Sequence, residues 1–447
     1  MSAQGEKKSM TAAAAAGGTR NGQIYFYFAS LTLLTALVSP SDYLIDITTS
    51  YMLKNQLHAT AIQVSTFRLL TAVPIYLAFI FGLMRDLWNP LGRRDRGFLI
   101  IFAPITAAVF VVLAFSKLSY VGLVAGMLLV MVCSRFVSAA YWGLIALVGQ
   151  EKLMAGRLSA LWNIISSLPA IAGAAASGWL ADHLKPSETF ILVAILTLGI
   201  GLLGLWKPPA VFDHAYEAPQ ARGTNLWGDV KRLVRHRAVW PAVLMIFMFQ
   251  FSPGSYTPLQ YYLSNTLHAS DEVYGLFQAI FAASFLPIFF LYGWLCKRVS
   301  LEKLLWWGLI ITVPQMIPLA FIHTGAQALM LAVPIGVIGG IAAAAIYDLA
   351  IRSCPPGLQG TMMTLITAGN VLSSRGSDLL GSKIYASSPT HGFVYCVIAT
   401  TIVYALIVPV ILLVPKEVMN TRDGQANPEL EAQVLAEVGE AAPAAGA

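Results

Sequence analysis

Twelve stretches of this chain are apolar on all sides for about 20 residues or more, at roughly 24–54, 60–87, 97–117, 120–150, 155–183, 188–208, 238–265, 272–296, 302–322, 326–353, 358–386 and 391–416. At a helical rise of about 1.5 Å per residue, each is long enough to cross a hydrocarbon core of about 30 Å. The longest imply tilt or ends that project into water. Only 11% of the 447 residues are charged and 57% are hydrophobic, roughly half the charge of a water-soluble domain. Helices of a soluble fold carry apolar stripes, not apolar cylinders. The chain therefore reads as an all-α membrane protein with twelve transmembrane helices.

The net charge of +6 does not point to nucleic acid, because the basic residues sit in short gaps between apolar stretches and share no amphipathic face. Their distribution instead gives an orientation. Of 28 Lys and Arg, a cytoplasmic N-terminus leaves only Lys54, Lys117, Lys185 and Lys383 outside, with Arg68, Arg135 and Arg375 within spans. Both termini are then cytoplasmic, in a plasma or bacterial inner membrane. Residues 1–23 read as a disordered leader and 417–447 as an acidic, disordered cytoplasmic tail. Cys133, Cys296, Cys354 and Cys396 lie in or beside apolar stretches without metal-ligand spacing, so they read as packing residues. No metal and no cofactor are expected.

The one long connection, 209–237, is rich in charge and divides the chain into a six-helix half at 24–208 and another at 238–416. The halves repeat in sequence. Ser39-Pro40-Ser41-Asp42-Tyr43 answers Ser252-Pro253-Gly254-Ser255-Tyr256, and Asn55-Gln56-Leu57-His58-Ala59 answers Asn265-Thr266-Leu267-His268-Ala269. Phe67-Arg68 answers Phe277-Gln278, and Gly82 answers Gly293. Four ordered matches at nearly constant offset indicate a duplicated unit, the architecture of an alternating-access carrier.

A charge at bilayer depth costs about 2.5–3.5 kcal/mol on insertion scales, so ionisable residues inside spans mark a protein interior or a watered path. Seven lie there: Asp42, Asp46, Arg68, Arg135, Asp348, Arg375 and Asp378. Asp42 and Asp46 share one face of the first segment. Asp46 and Arg68 lie at a similar depth, about 12 Å in, and form a candidate ion pair. Arg375 and Asp378, three apart, can neutralise one another. Each pairing is also open to a purely structural reading, and Asp348, four before Arg352, reads as structural. The histidines fall in loops or at helix ends, so any proton relay rests on carboxylates: Asp42 first, then Asp46 and Asp378. In the seventh segment Pro253, Gly254 and Pro258 break the helix, which is tolerated only where it lines a cavity or packs on protein. Gln250 and Tyr256 there, with Gln278, Arg68, Arg135 and Arg375, are the candidate solute ligands; arginine forks match carboxylates.

Phe81-Gly82-Leu83-Met84-Arg85-Asp86 followed by Gly92-Arg93-Arg94 resembles the major facilitator superfamily signature G-x-x-x-D-x-x-G-R-R, with a longer spacer. Gly293-Trp294-Leu295-Cys296-Lys297-Arg298 is similar to its degenerate second copy. The resemblance implies a cytoplasmic gate in which Gly82 permits close helix approach and Asp86 with Arg93 and Arg94 latches the halves. More narrowly, SPGSYTPLQYYLSNTLHASDEVYG and Arg352-Ser353-Cys354-Pro355-Pro356-Gly357-Leu358-Gln359-Gly360-Thr361 resemble the folate–biopterin transporter family. The fourth segment departs from that family, with Arg135 where an acid-rich pattern is expected.

These features lead to a secondary transporter for a small organic solute, anionic or aromatic and of folate or pterin type, driven by protons or exchange. A non-transporting assembly factor or receptor on the same fold, and a carrier of another amphiphilic anion, stay open. Enzyme chemistry finds no nucleotide loop, metal cluster or nucleophile arrangement to rest on.

Overall fold

The computed structural model describes residues 21–39, 44–45, 48–49, 52–59, 61–116, 119–183, 185–212, 226–388 and 390–425. Among the described residues the chain is a bundle of helices without strands. The first, α1, covers 21–37. Next come α2 (Ala61–Tyr76) and α3 (Ala78–Leu87), one rod interrupted shortly after Pro74, whose ring nitrogen cannot join the helical ladder. They are followed by α4 (Asp95–Phe115), α5 (Tyr120–Glu151), α6 (Ala155–His183) and α7 (Pro186–Leu205). After the long connection come α8 (Leu226–Arg235), α9 (Val239–Gln250), α10 (Thr257–Tyr261), α11 (Asp271–Leu295), α12 (Leu301–Thr312), α13 (Gly325–Arg352), α14 (Gln359–Ala386), α15 (Gly392–Ile407) and α16 (Lys416–Met419).

Eight helical stretches among the described residues are long and apolar enough to cross a membrane. The other four sequence segments, at 24–54, 155–183, 238–265 and 358–386, do not meet that standard on the described residues. One of these, α14, is continuous but carries Thr364, Asn370, Ser373, Arg375 and Asp378. Large apolar side chains are widely exposed, among them Phe115 at 76%, Met330 at 74% and Leu412 at 73%. In water such a belt would drive aggregation; against lipid it is the natural outer surface.

The repeat seen in the sequence is also a repeat of conformation. π-Helical turns occupy Met52–Gln56 and Tyr262–Thr266, and each is followed by a histidine in the left-handed region, His58 at φ 48° and His268 at φ 52°. The closing hydrogen bonds are matched: Ala59 N donates to Leu53 O at 2.8 Å, and Ala269 N to Leu263 O at 2.9 Å. This is the long closing bond of a helix C-cap with a left-handed residue at the turn. A β-branched side chain there should be penalised by about 1–2 kcal/mol. His268→Val should therefore lower the thermal midpoint of the purified protein, while His268→Gly should not; equal losses would mean that the ring, and not the backbone, matters.

Composition predicts disorder up to residue 23 and again from 417. The helix α1 already begins at 21, and residues 416–425 pack beneath the bundle as a strap, with Val418, Met419 and Asp423 buried. The acidic bias of the tail hides this short segment, whose apolar pair and Thr421 and Asp423 all find partners on the bundle.

Candidate functional site

At the end of the bundle that carries α1's start and the strap, two latches join helices from the two sequence halves. In the first, α3 meets the N-terminus of α14. The Asp86 carboxylate accepts from Gly360 N at 3.2 Å, Thr361 N at 2.7 Å and Thr361 Oγ1 at 2.6 Å. It thereby satisfies backbone donors that a helix start leaves open and opposes the helix dipole. Arg85 donates to Asp86 at 2.6 Å and reaches Asp95 with two nitrogens, one of them at 2.6 Å. All three charged groups are buried. The approach requires glycine. A Cβ on Gly82 would overlap Thr364 Oγ1 and the Gly360 carbonyl, and one on Gly143 would overlap the Arg85 guanidinium.

In the second latch, α11 meets the N-terminus of α6. Gly156 packs against Cys296 and Asp348, and Ser159 Oγ donates to Ala344 O at 2.8 Å. Fully buried Asp348 accepts from Tyr292 Oη at 2.8 Å and pairs with Arg352 at 2.7 Å. The position matching Asp86 in the second signature copy is Lys297, which is exposed. Its task falls to the strap: Asp423 accepts from Gly156 N at 3.0 Å and from Arg157 Nε, while Asp423 N donates to Cys296 O at 2.9 Å. Arg352 donates to Thr421 O at 3.0 Å. Gly156 and Gly360 are each the second residue of their helix, so one carboxylate caps each helix start across the interface.

Directly beyond the latches, the halves meet in an aromatic cluster. Trp142 and Trp162 lie 4.8 Å apart between ring centroids, Trp162 and Tyr347 4.5 Å, and Asn370 Nδ2 donates to Tyr347 Oη at 3.3 Å. These side chains come from α5, α6, α13 and α14. A second feature lies at the break between α9 and α10. There a cavity of about 160 Å³ is lined by Gln250, Tyr256, Gln278, Phe281, Gln315 and Tyr404, among others. Gln250 Nε2 donates to Tyr256 Oη at 2.9 Å, and Gln278 Nε2 to Tyr274 Oη at 3.0 Å. The break is held from outside: Asp378 accepts from Thr257 N and Thr257 Oγ1, both at 2.9 Å, and Gly254 N donates to Thr400 Oγ1 at 3.1 Å.

Residues 31–374 match the Major Facilitator Superfamily. The chain belongs to the Major Facilitator Superfamily. It is similar to the folate-biopterin transporter of Synechocystis sp., 24% identical over 359 residues covering 74% of this chain and 70% of that protein. It is also similar to folate transporter 2 of Plasmodium falciparum, 21% identical, covering 79% and 78% respectively. In fold it resembles the superfamily transporter FucP in its outward conformation, with a TM-score of 0.65 at 15% identity, covering 87% of this chain and 97% of that one. The protein is thus a helical transmembrane transporter of the superfamily, a fold for which alternating access is typical.

Against that identity, the superfamily signature falls at the first latch, with one exchange. Gly82 and Asp86 stand where the sequence resemblance puts them, but the cation that joins Asp86 to Asp95 is Arg85, and Arg93 takes no part. The spacer after Asp86 turns through Leu91, at φ 57°, and Arg94, at φ 47°. Arg93 is left exposed without a side-chain hydrogen bond or ion pair among the described residues, and Arg94 gives its backbone N to Asn89 Oδ1 at 2.6 Å. Arg85, one residue from Asp86 and facing Gly143, reaches both acids. Nothing local in the sequence marks Asp423 or the Trp142–Trp162–Tyr347 cluster, whereas Asp95 adjoins the Gly92-Arg93-Arg94 run and Thr361 ends the stretch that resembles the folate–biopterin transporter family.

Of the solute-ligand candidates, the structure brings Gln250, Tyr256 and Gln278 to one cavity. Arg68 and Arg375 are exposed and Arg135 is half-buried, and none of the three lines it. Arg375 and Asp378 do not pair: the Asp378 carboxylate is taken by Thr257, whose open helix-start N–H lies nearer. Asp42 and Asp46 lie outside the described residues, and with them the Asp46–Arg68 pair.

Proposed function

We propose that the protein is a secondary carrier of a planar, anionic organic solute of folate or pterin class, working by alternating access through twelve spans, with coupling to protons or exchange with a second anion. The observation that carries this reading is the cluster of Trp142, Trp162 and Tyr347 at the seam of the two halves, stacked on the latches. Aromatic faces at such a seam favour flat, conjugated rings. The cavity at the helix break adds amide and hydroxyl groups suited to ring edges. Its volume of about 160 Å³ is below the ~300–1,000 Å³ of sites that enclose a drug-sized ligand, so it suits a ring system and not a whole folate. Exposed Arg68 and Arg375 supply charge for carboxylates. The names of the two relatives favour the same class. With the basic connections facing the cytoplasm, the latched end is the cytoplasmic one, and Asp42 is the first candidate for the coupling proton.

Thermal-shift screening of the purified protein against folates, pterins, peptides and simple organic acids tests the class, since a ligand of the folded state raises apparent stability. Folates or pterins should give the largest rise. Arg68→Gln should then weaken that ligand more than tenfold, the ~1.5–3 kcal/mol of a charge-assisted hydrogen bond, and Gln278→Ala should cost ~0.5–1.5 kcal/mol. A rise confined to non-aromatic acids would overturn the assignment.

A further inference from the structure

Away from the latches and the cavity, a cleft of about 430 Å³ opens where the strap meets the start of α12. Arg298, Lys303 and Arg422 line it together with Ser300, Asn420 and Gln425, and no carboxylate does. All three cations are exposed, and none forms an ion pair among the described residues. Three like charges gathered without a counter-ion repel one another, an arrangement that an anion relieves. The site is also built. Gln425 Oε1 accepts from Arg422 N at 3.2 Å and fixes the turn that presents Arg422. Ser300 caps α12 without a side-chain hydrogen bond and lines the cleft, while Leu301 N at that helix start donates to Thr421 O of the strap at 3.5 Å and Glu302 stands in the first turn.

The surroundings identify the level in the membrane. Trp294 and Trp307 are about half exposed, and the Arg298 guanidinium lies 3.8 Å over the Trp294 ring. Tryptophans beside cations, at the edge of the apolar belt, mark the headgroup layer.

We propose that this cleft binds the phosphate of an anionic phospholipid headgroup, and that occupancy keeps the strap docked. Arg422 adjoins Asp423, which caps α6 across the second latch, so a phosphate drawing on Arg422 holds Asp423 in place. The anion's affinity and the closure of this end are then linked, each favouring the other.

The full-length protein, reconstituted in phosphatidylcholine nanodiscs with and without phosphatidylglycerol, gives the test. Phosphatidylglycerol should raise the thermal midpoint and slow alkylation of buried Cys296, which the strap covers. The triple variant R298Q/K303Q/R422Q should lose this response, with lipid affinity falling about fivefold per charge removed, the equivalent of ~1 kcal/mol each. The charge-keeping variant R298K/K303R should retain it, which separates loss of charge from misfolding. Inorganic phosphate and glycerol 3-phosphate, added to phosphatidylcholine discs, distinguish the sources: no protection assigns the site to lipid, and protection at millimolar concentration assigns it to a soluble phosphate. A phosphatidylglycerol response equal in wild type and triple variant overturns the proposal, as does its absence in wild type.

Discussion

Replacing Asp86 with alanine should unlock the latched end of the bundle without unfolding the protein. The substitution removes three hydrogen bonds to the start of α14 and leaves buried Arg85 with Asp95 alone. Each hydrogen bond to a charged group contributes about 1.5–3 kcal/mol, and the three that Asp86 accepts from Gly360 and Thr361 cross from α3 to α14, so their loss falls on the closed arrangement, whereas Arg85 and Asp86 share α3. The opening equilibrium should shift about a hundredfold or more toward open. The native thiol of Cys354 reports it. Cys354 is 4% exposed, and burial pushes its pKa up, reinforced by the Asp86 carboxylate, so it should react with maleimide only when this end opens. Alkylation of Cys354, followed by peptide mass spectrometry, should accelerate strongly in Asp86→Ala and less in Asp86→Asn; both lose the carboxylate that raises the thiol's pKa, so the difference between them reports the opening. Uptake should fall in both. An unchanged alkylation rate in a folded Asp86→Ala protein would remove the latch from the gating account.

The second expected effect is a rescue. If Asp423 does for α6 what Asp86 does for α14, then Asp423→Ala should loosen the second latch by about 1.5–3 kcal/mol, the range for hydrogen bonds to a charged group. Alkylation of Cys296 would increase about tenfold or more. Lys297 occupies the place of the missing acid in the second signature copy. Lys297→Asp in the Asp423→Ala background should return protection to Cys296, while Lys297→Asn should do so weakly. Loss of protection that Lys297→Asp leaves uncorrected would mean that the strap acts through Thr421 and its apolar contacts, not through a helix cap.

Much of this architecture was legible in the sequence because lipid imposes simple rules. Continuous apolar stretches gave the helices, and the Asn-x-Leu-His-Ala repeat returned as a pair of identical helix caps at His58 and His268. Pro253 and Gly254 marked the break that builds the cavity around Gln250, Tyr256 and Gln278. The contacts between distant segments were less visible. Arg85 is less conspicuous in the sequence than Arg93 and Arg94, and only the turn through Leu91 shows how the spacer leaves Arg93 at the surface. The pairing expected of Arg375 and Asp378 rests on spacing alone, whereas Thr257 comes from a helix more than a hundred residues away. Asp423 sits in a stretch whose composition reads as tail, and nothing local signals that it completes a motif at residue 293.

If a solute works this transporter by opening and closing the latched end, the alkylation rate of Cys354 in wild-type protein reports it, measured with and without the folate or pterin that gives the largest thermal shift. Slow labelling without solute, several-fold faster labelling with it, and fast labelling insensitive to solute in Asp86→Ala are predicted. Solute uptake that proceeds while Cys354 stays equally protected with and without solute would contradict the account.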